Sequence, residues 1–341
     1  MRPASVLPAL VLLSVACAPL TSPPTADAGP DAGSRPARRA PVTVGQFPDG
    51  AGPFLRVPLS LDGAPPLQVL LDTGSDGLRI FESALAGRTV ARTQHPVVVE
   101  FGAGDRMEGV LARATVQVGE VATPGPIAFH LVESFTCGPG TSGCDVFAAA
   151  GLDGILGVSL RPGIEPDLYS PFAQLGPEDA AGFVLRVDEP VGELTFGPEA
   201  LGQQGFKRLV LPRAGLQPNG RPAFRDDAVQ ACFRVNGTPT SPPCSETVFD
   251  TGASPDILYA PGLPAGTVVD GILAPGTRLE VSLPGLWTRE LTVGSQPEPG
   301  KDLVVVDSTV PFSILGFSWF RSFDILYDLR VGELGFRERA P

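Results

Sequence analysis

The chain repeats itself once, and this constrains its architecture more than any other feature. Val69-Leu70-Leu71-Asp72-Thr73-Gly74-Ser75 matches Thr247-Val248-Phe249-Asp250-Thr251-Gly252-Ala253-Ser254. Ile155-Leu156-Gly157-Val158-Ser159 matches Ile314-Leu315-Gly316-Phe317-Ser318. Val191-Gly192-Glu193-Leu194-Thr195-Phe196 matches Val331-Gly332-Glu333-Leu334-Gly335-Phe336. Three motifs in the same order argue for two similar lobes. The join falls near Gly197, so the lobes are expected at 43–197 and 198–341.

Composition decides the fold class. With 41 Gly and 38 Pro in 341 residues, turn-formers are too dense for a helical bundle, and an all-β protein of short strands is expected. Strands are expected at 97–101, 114–118, 183–187 and 303–306, and a short helix at 319–323. The net charge of −12 argues against nucleic acid as a partner. Only His95 and His130 are present, which excludes a three-histidine metal site, and both are expected at the surface or in loops. Ser75 and Ser159 lack the Gly-x-Ser-x-Gly turn of a serine nucleophile, and Asp145 and Asp153 are expected to hold turns.

The chemistry lies in the doubled Asp-Thr-Gly. Each Asp follows an apolar strand, so it is carried by a rigid element. Gly permits a tight turn and close approach, and the Thr hydroxyl can bond across to the opposite loop. Two such loops meeting about a pseudo-two-fold axis bring Asp72 and Asp250 together. Two adjacent carboxyls share one proton. The ionised one can take a proton from water while the protonated one donates to a peptide carbonyl, which is amide hydrolysis with neither metal nor cofactor.

On these motifs the chain resembles the pepsin-like aspartic proteases over residues 43–341. The resemblance implies a bilobal acid-protease fold with pseudo-two-fold symmetry and a cleft between the lobes. It implies Asp72 and Asp250 as catalytic, supported by Thr73, Gly74, Ser75, Thr251, Gly252 and Ala253. Residues 99–111 look like the family's flap hairpin, which places Phe101, Gly102, Ala103 and Gly104 over bound substrate. The implied partner is a peptide or protein in the cleft, and the protein is expected to act as a monomer.

Two departures stand out. Phe101 sits where the family usually has Tyr, and Asp76-Gly77-Leu78-Arg79-Ile80 lacks the Trp that partners it. The alternative function is therefore a catalytically weak or inactive pepsin-like binding or inhibitor module. Ser75 can donate to Asp72 but Ala253 offers Asp250 nothing equivalent, so the Asp250 carboxyl is expected to hold its proton more tightly. Activity at a less acidic pH than that of the digestive enzymes follows, and an optimum well below about pH 4 contradicts it.

Residues 1–17 read as an export signal, and Leu13-Ser14-Val15-Ala16-Cys17 resembles a bacterial lipoprotein signal with Cys17 as the lipidated residue. Export to the cell envelope or secretion is expected, with membrane contact only through that lipid. Residues 18–42 hold almost no large apolar side chains and are expected to form a flexible linker. The four remaining Cys allow three pairings, of which the sequence-local one, Cys137–Cys144 and Cys232–Cys244, is expected in an oxidising compartment. The absence of a Cys-x-x-Cys pair argues against zinc.

Overall fold

A computed structural model describes residues 37–339 apart from 49, 51, 102, 103, 139–145, 164, 166 and 295–302. The export signal, Cys17, Gly102, Ala103, Cys144 and Asp145 lie outside the described residues.

The molecule is all-β. Its strands form a 15-stranded sheet, a nine-stranded sheet and a two-stranded ribbon. Period-two patterning is clearest in Ala91–Glu100, where Val97 and Val99 are buried and Val98 faces solvent. Strands flanked on both faces are instead continuously apolar. Gly154–Val158 is buried at every position, as parallel pairing in a sheet interior requires. A two-residue turn, Asn236-Gly237, joins Val229–Val235 to Thr238–Phe249; both turn residues have positive φ (52° and 80°), which the twist of a tight hairpin demands. The disulfide Cys232–Cys244 joins directly opposed residues of that hairpin.

The repeated motifs take the same local topology. In the larger sheet, Gly154–Val158 runs parallel to Leu67–Asp72, with Gly157 opposite Asp72, and antiparallel to Asp76–Phe81. In the nine-stranded sheet, Phe312–Leu315 runs parallel to Thr238–Phe249, with Leu315 opposite Phe249, and meets Asp256–Leu258 antiparallel. Each Ile-Leu-Gly strand is thus wedged between the strand entering an Asp-Thr-Gly loop and the strand leaving it.

The halves are not separate sheets. Gly182–Asp188 pairs antiparallel with Phe323–Asp328, and Lys207–Val210 pairs with Glu333–Glu338, so the larger sheet runs across the expected boundary at 197. One contiguous apolar cluster includes Leu71, Leu156 and Phe183 from before that boundary and Phe249, Leu315 and Ile325 from after it.

Several expectations are corrected. The linker does not extend to 42: Arg38–Gln46 is a strand, hydrogen-bonded between Val191–Phe196 and Pro53–Leu61. Its ladder bonds, together with the Arg38–Asp179 and Arg39–Glu193 ion pairs, offset the low apolar content. His130 is not a surface residue. It lies fully buried in Ile127–Thr136, whose first six residues are all buried. His95 is exposed beside Glu165. The expected strand at 114–118 breaks at Thr115, and the short helix is Phe317–Ser322. Asp153 joins two distant segments rather than holding a turn: its carboxylate accepts the Gln68 N–H at 2.7 Å and its own N–H donates to the Gln68 carbonyl at 2.6 Å. Among the described residues, no helix is long and apolar enough to cross a membrane.

Candidate active site

Both Asp-Thr-Gly loops begin where a buried strand ends. Leu67–Asp72 terminates on Asp72, and Asp250 follows directly on Thr238–Phe249, its N–H bonded to the Leu315 carbonyl at 2.9 Å. The threonines then cross between the loops. Thr73 Oγ1 donates to the Phe249 carbonyl and Thr251 Oγ1 to the Leu71 carbonyl, both at 2.7 Å. Each hydroxyl oxygen also accepts the other threonine's N–H at 3.0 Å. These four buried bonds fix the two loops against each other.

The glycines let the carboxyls meet. A Cβ on Gly74 would lie 2.2 Å from Asp250 Cγ, and one on Gly252 would lie 2.8 Å from Asp72 Cγ. Neither glycine has positive φ. The requirement is therefore the expected close approach, space for the opposite carboxyl, rather than a left-handed backbone. The carboxyls face the same small space: the point a Gly252 Cβ would occupy lies 2.8 Å from Asp72 Oδ1 and 3.1 Å from Asp250 Oδ1.

The pair is asymmetric. Asp72 accepts the Gly74 N–H at 2.8 Å and the Ser75 hydroxyl at 2.5 Å. Asp250 accepts the Gly252 N–H at 2.7 Å, and Ala253 has no side-chain donor to match Ser75. Burial, followed by the charge and hydrogen bond of Asp72, raises the Asp250 carboxyl well above its ordinary range; the Gly252 N–H and Arg161 oppose this only in part. The surroundings of Asp250 therefore favour its protonated form.

The Ile-Leu-Gly motifs brace the loops from behind. A Cβ on Gly157 would lie 2.7 Å from the Ser75 carbonyl oxygen, and one on Gly316 would lie 2.4 Å from that of Ala253. Ser159 N–H bonds to the Ser75 carbonyl and Phe317 N–H to the Ala253 carbonyl, each at 3.0 Å. Residue types that sequence reasoning passed over complete the brace. Ser159 donates to Asp76 through a very short bond, and Ser318 contacts both oxygens of Asp256 at 3.3–3.4 Å. Asp256 also accepts the Gly316 N–H at 2.6 Å and Trp319 Nε1–H at 3.1 Å. The repeated Ser in Ile-Leu-Gly-x-Ser was the signal for this pairing. Burial raises the Asp76 carboxyl, with Arg161, Ser159 and Arg79 acting against that rise and Asp72 adding to it.

Arg161 was also missed. Its Nη2 donates to the Gly74 carbonyl, while its guanidinium stands 3.5 Å from Asp226 and 3.6 Å from Asp227. Burial, countered by Arg161, pushes the Asp226 carboxyl up to about 7.

The expected flap is a hairpin. Ala91–Glu100 pairs antiparallel with Arg106–Ala114, with Glu100 opposite Arg106. Across the tip, Phe101 N–H bonds to the Asp105 carbonyl and Gly104 N–H to the Phe101 carbonyl, both at 2.8 Å. The Phe101 ring lies 5.2 Å from the Arg79 guanidinium. Between this tip and the first Asp-Thr-Gly loop is a cavity of about 450 Å³, lined by Gly74, Ser75, Arg79, Phe101, Arg161 and Arg225 among others. Among the described residues, no group of three or more His, Cys, Asp or Glu is arranged to hold a metal ion.

No protein-family model matches the chain, and a search of curated proteins finds no match.

Proposed function

We propose that the protein is an aspartic endopeptidase with a bilobal, pepsin-like architecture. In this reading the two halves are related by a pseudo-two-fold axis, and the peptide lies in the cleft between them. The observation that carries it is the reciprocal contact of the two loops: crossed threonine bonds, and each glycine set against the opposite carboxyl. A turn-capping role for either Asp would require none of these.

The chemistry follows from the asymmetry. Asp72, with the extra Ser75 donor, carries the charge and removes a proton from a water held between the carboxyls. The water oxygen attacks the peptide carbon as Asp250 donates its proton to the carbonyl oxygen, giving a neutral tetrahedral diol. Asp72 then passes its proton to the departing nitrogen and Asp250 recovers one from the diol, so the C–N bond breaks and the dyad returns to its starting state. Phe101 has no hydroxyl to contribute, so it acts by covering the site and excluding water.

The test is cleavage of a mixed peptide library by the wild type and by Asp72→Asn. Cleavage by the wild type that the variant loses supports the reading, and undiminished cleavage by Asp72→Asn removes the mechanism. No cleavage by either across about pH 3 to 7 favours the binding module instead.

A further inference from the structure

The cavity beside the first catalytic loop contains a buried cation without a counter-ion. Arg79 is only 1% exposed, yet its Nε has no hydrogen-bond partner, and Nη1 reaches only the Gly77 carbonyl at 3.4 Å. Among the described residues it forms no ion pair. The other charged groups around the cavity are already committed. Arg161 is shared by Asp226, Asp227 and Asp76. Arg225 is paired with Asp227 at 2.6 Å and Glu246 at 3.2 Å. Glu100 is paired with Arg106 at 2.8 Å, and Asp76 is bonded to Ser159. His130, opposite Arg79 in the parallel strand pair, is held neutral by burial and offers no charge.

An arginine buried in this way is costly unless an anion joins it. Asp72 and Asp76 act on it only through space, and the Phe101 ring lies over it at 5.2 Å without neutralising it. The volume of about 450 Å³ lies within the usual range of ligand pockets. Gly74 and Ser75 of the catalytic loop form part of the same wall.

We propose that this cavity is a subsite for a carboxylate side chain of the substrate, a glutamate or aspartate next to the scissile bond, with Arg79 as its ion-pair partner and Phe101 as its lid. The inference rests on the peptidase reading for the identity of the ligand. Arg79 is then a specificity-determining residue: a glutamine in the same place forfeits the charge-assisted bond.

Peptide pairs that differ only by Glu or Gln, placed in turn at the residues flanking the cleaved bond and amidated at the C-terminus, test it. Wild type is expected to favour Glu by about tenfold in kcat/KM at one of these positions, and Arg79→Gln to bring that ratio to about one. Equal cleavage of Glu and Gln peptides by the wild type overturns the proposal, as does a preference that survives Arg79→Gln. Arg79→Met, which keeps the stem volume, replaces Arg79→Gln if that variant does not fold. Absence of any cleavage is a failure of the peptidase reading. The subsite is then read by fluorescence anisotropy of the same labelled peptides, where an equal Kd for Glu and Gln overturns it and a tighter Glu complex lost in the Arg79 variant supports it.

Discussion

Ala253→Ser supplies the donor that Asp250 lacks. In the matching position, Ser75 bonds to Asp72 at 2.5 Å, and the two loops share the same crossed threonine frame, so the new hydroxyl faces the Asp250 carboxyl. A hydrogen bond to a charged group contributes about 1.5–3 kcal/mol, and part of that offsets the loss of a neutral contact. About 1.4 kcal/mol corresponds to one pH unit, so the alkaline limb of the kcat/KM profile should move about one unit toward acid. The direction is fixed: the donor favours ionised Asp250, and the mechanism needs Asp250 protonated. Because the raised Asp250 carboxyl contributes stability at low pH that is lost as pH rises through its folded pKa, the same variant should lose less stability than wild type on going to neutral pH. Peptide cleavage and urea denaturation across the pH range read the two effects independently. A folded Ala253→Ser whose alkaline limb stays in place, or moves toward base, refutes the assignment of Asp250 as the acid.

Gly74→Ala places a methyl 2.2 Å from Asp250 Cγ and should lower kcat/KM by about 100-fold or more through misplacement of the dyad, read by peptide cleavage on protein with wild-type circular dichroism. Thr251→Val removes the bond to the Leu71 carbonyl and leaves the Thr73 N–H without its acceptor, so unfolding in denaturant should show a loss of about 1–3 kcal/mol. Burial, helped by the Arg79 charge, lowers His130 from 6.5 to about 4; its neutral form supports the fold above pH 6.5, and about 3 kcal/mol of that support is lost as pH falls through about 4. His130→Gln should lack this acid-side slope, and an identical slope in wild type and variant would count against a buried neutral imidazole.

The parts of the site legible in the sequence are those in which a motif carries its own environment. Asp-Thr-Gly needs its Gly for the opposite carboxyl and its Thr for the opposite carbonyl, so both leave a local trace that the repeat doubles. Asp76 and Asp256 perform matching tasks, but they lie four and six residues after the Asp of their Asp-Thr-Gly, and the repeat does not align them. Arg79 and Arg161 left no trace because a buried cation takes its role from tertiary neighbours. His130 was misplaced by residue type alone, although the run Ile127-Ala128-Phe129-His130-Leu131-Val132 marks a strand covered on both faces. The strand Arg38–Gln46 is stabilised by pairing on both edges, which its own composition does not reveal.

If the proposed subsite holds, Arg79 is the residue that sets its specificity. It is set in the strand that leaves the first Asp-Thr-Gly loop, and its guanidinium lies beneath Phe101 in the wall of the cavity. Charge and shape can then be separated at this one residue. Arg79→Gln removes both, and the Glu-over-Gln preference should vanish. Arg79→Lys keeps the charge but loses the planar fork that holds a carboxylate through two parallel bonds, so it should retain only part of the preference in kcat/KM. A lysine variant that keeps the full preference would show that charge alone reads the substrate, and the bidentate geometry assigned to Arg79 would be wrong.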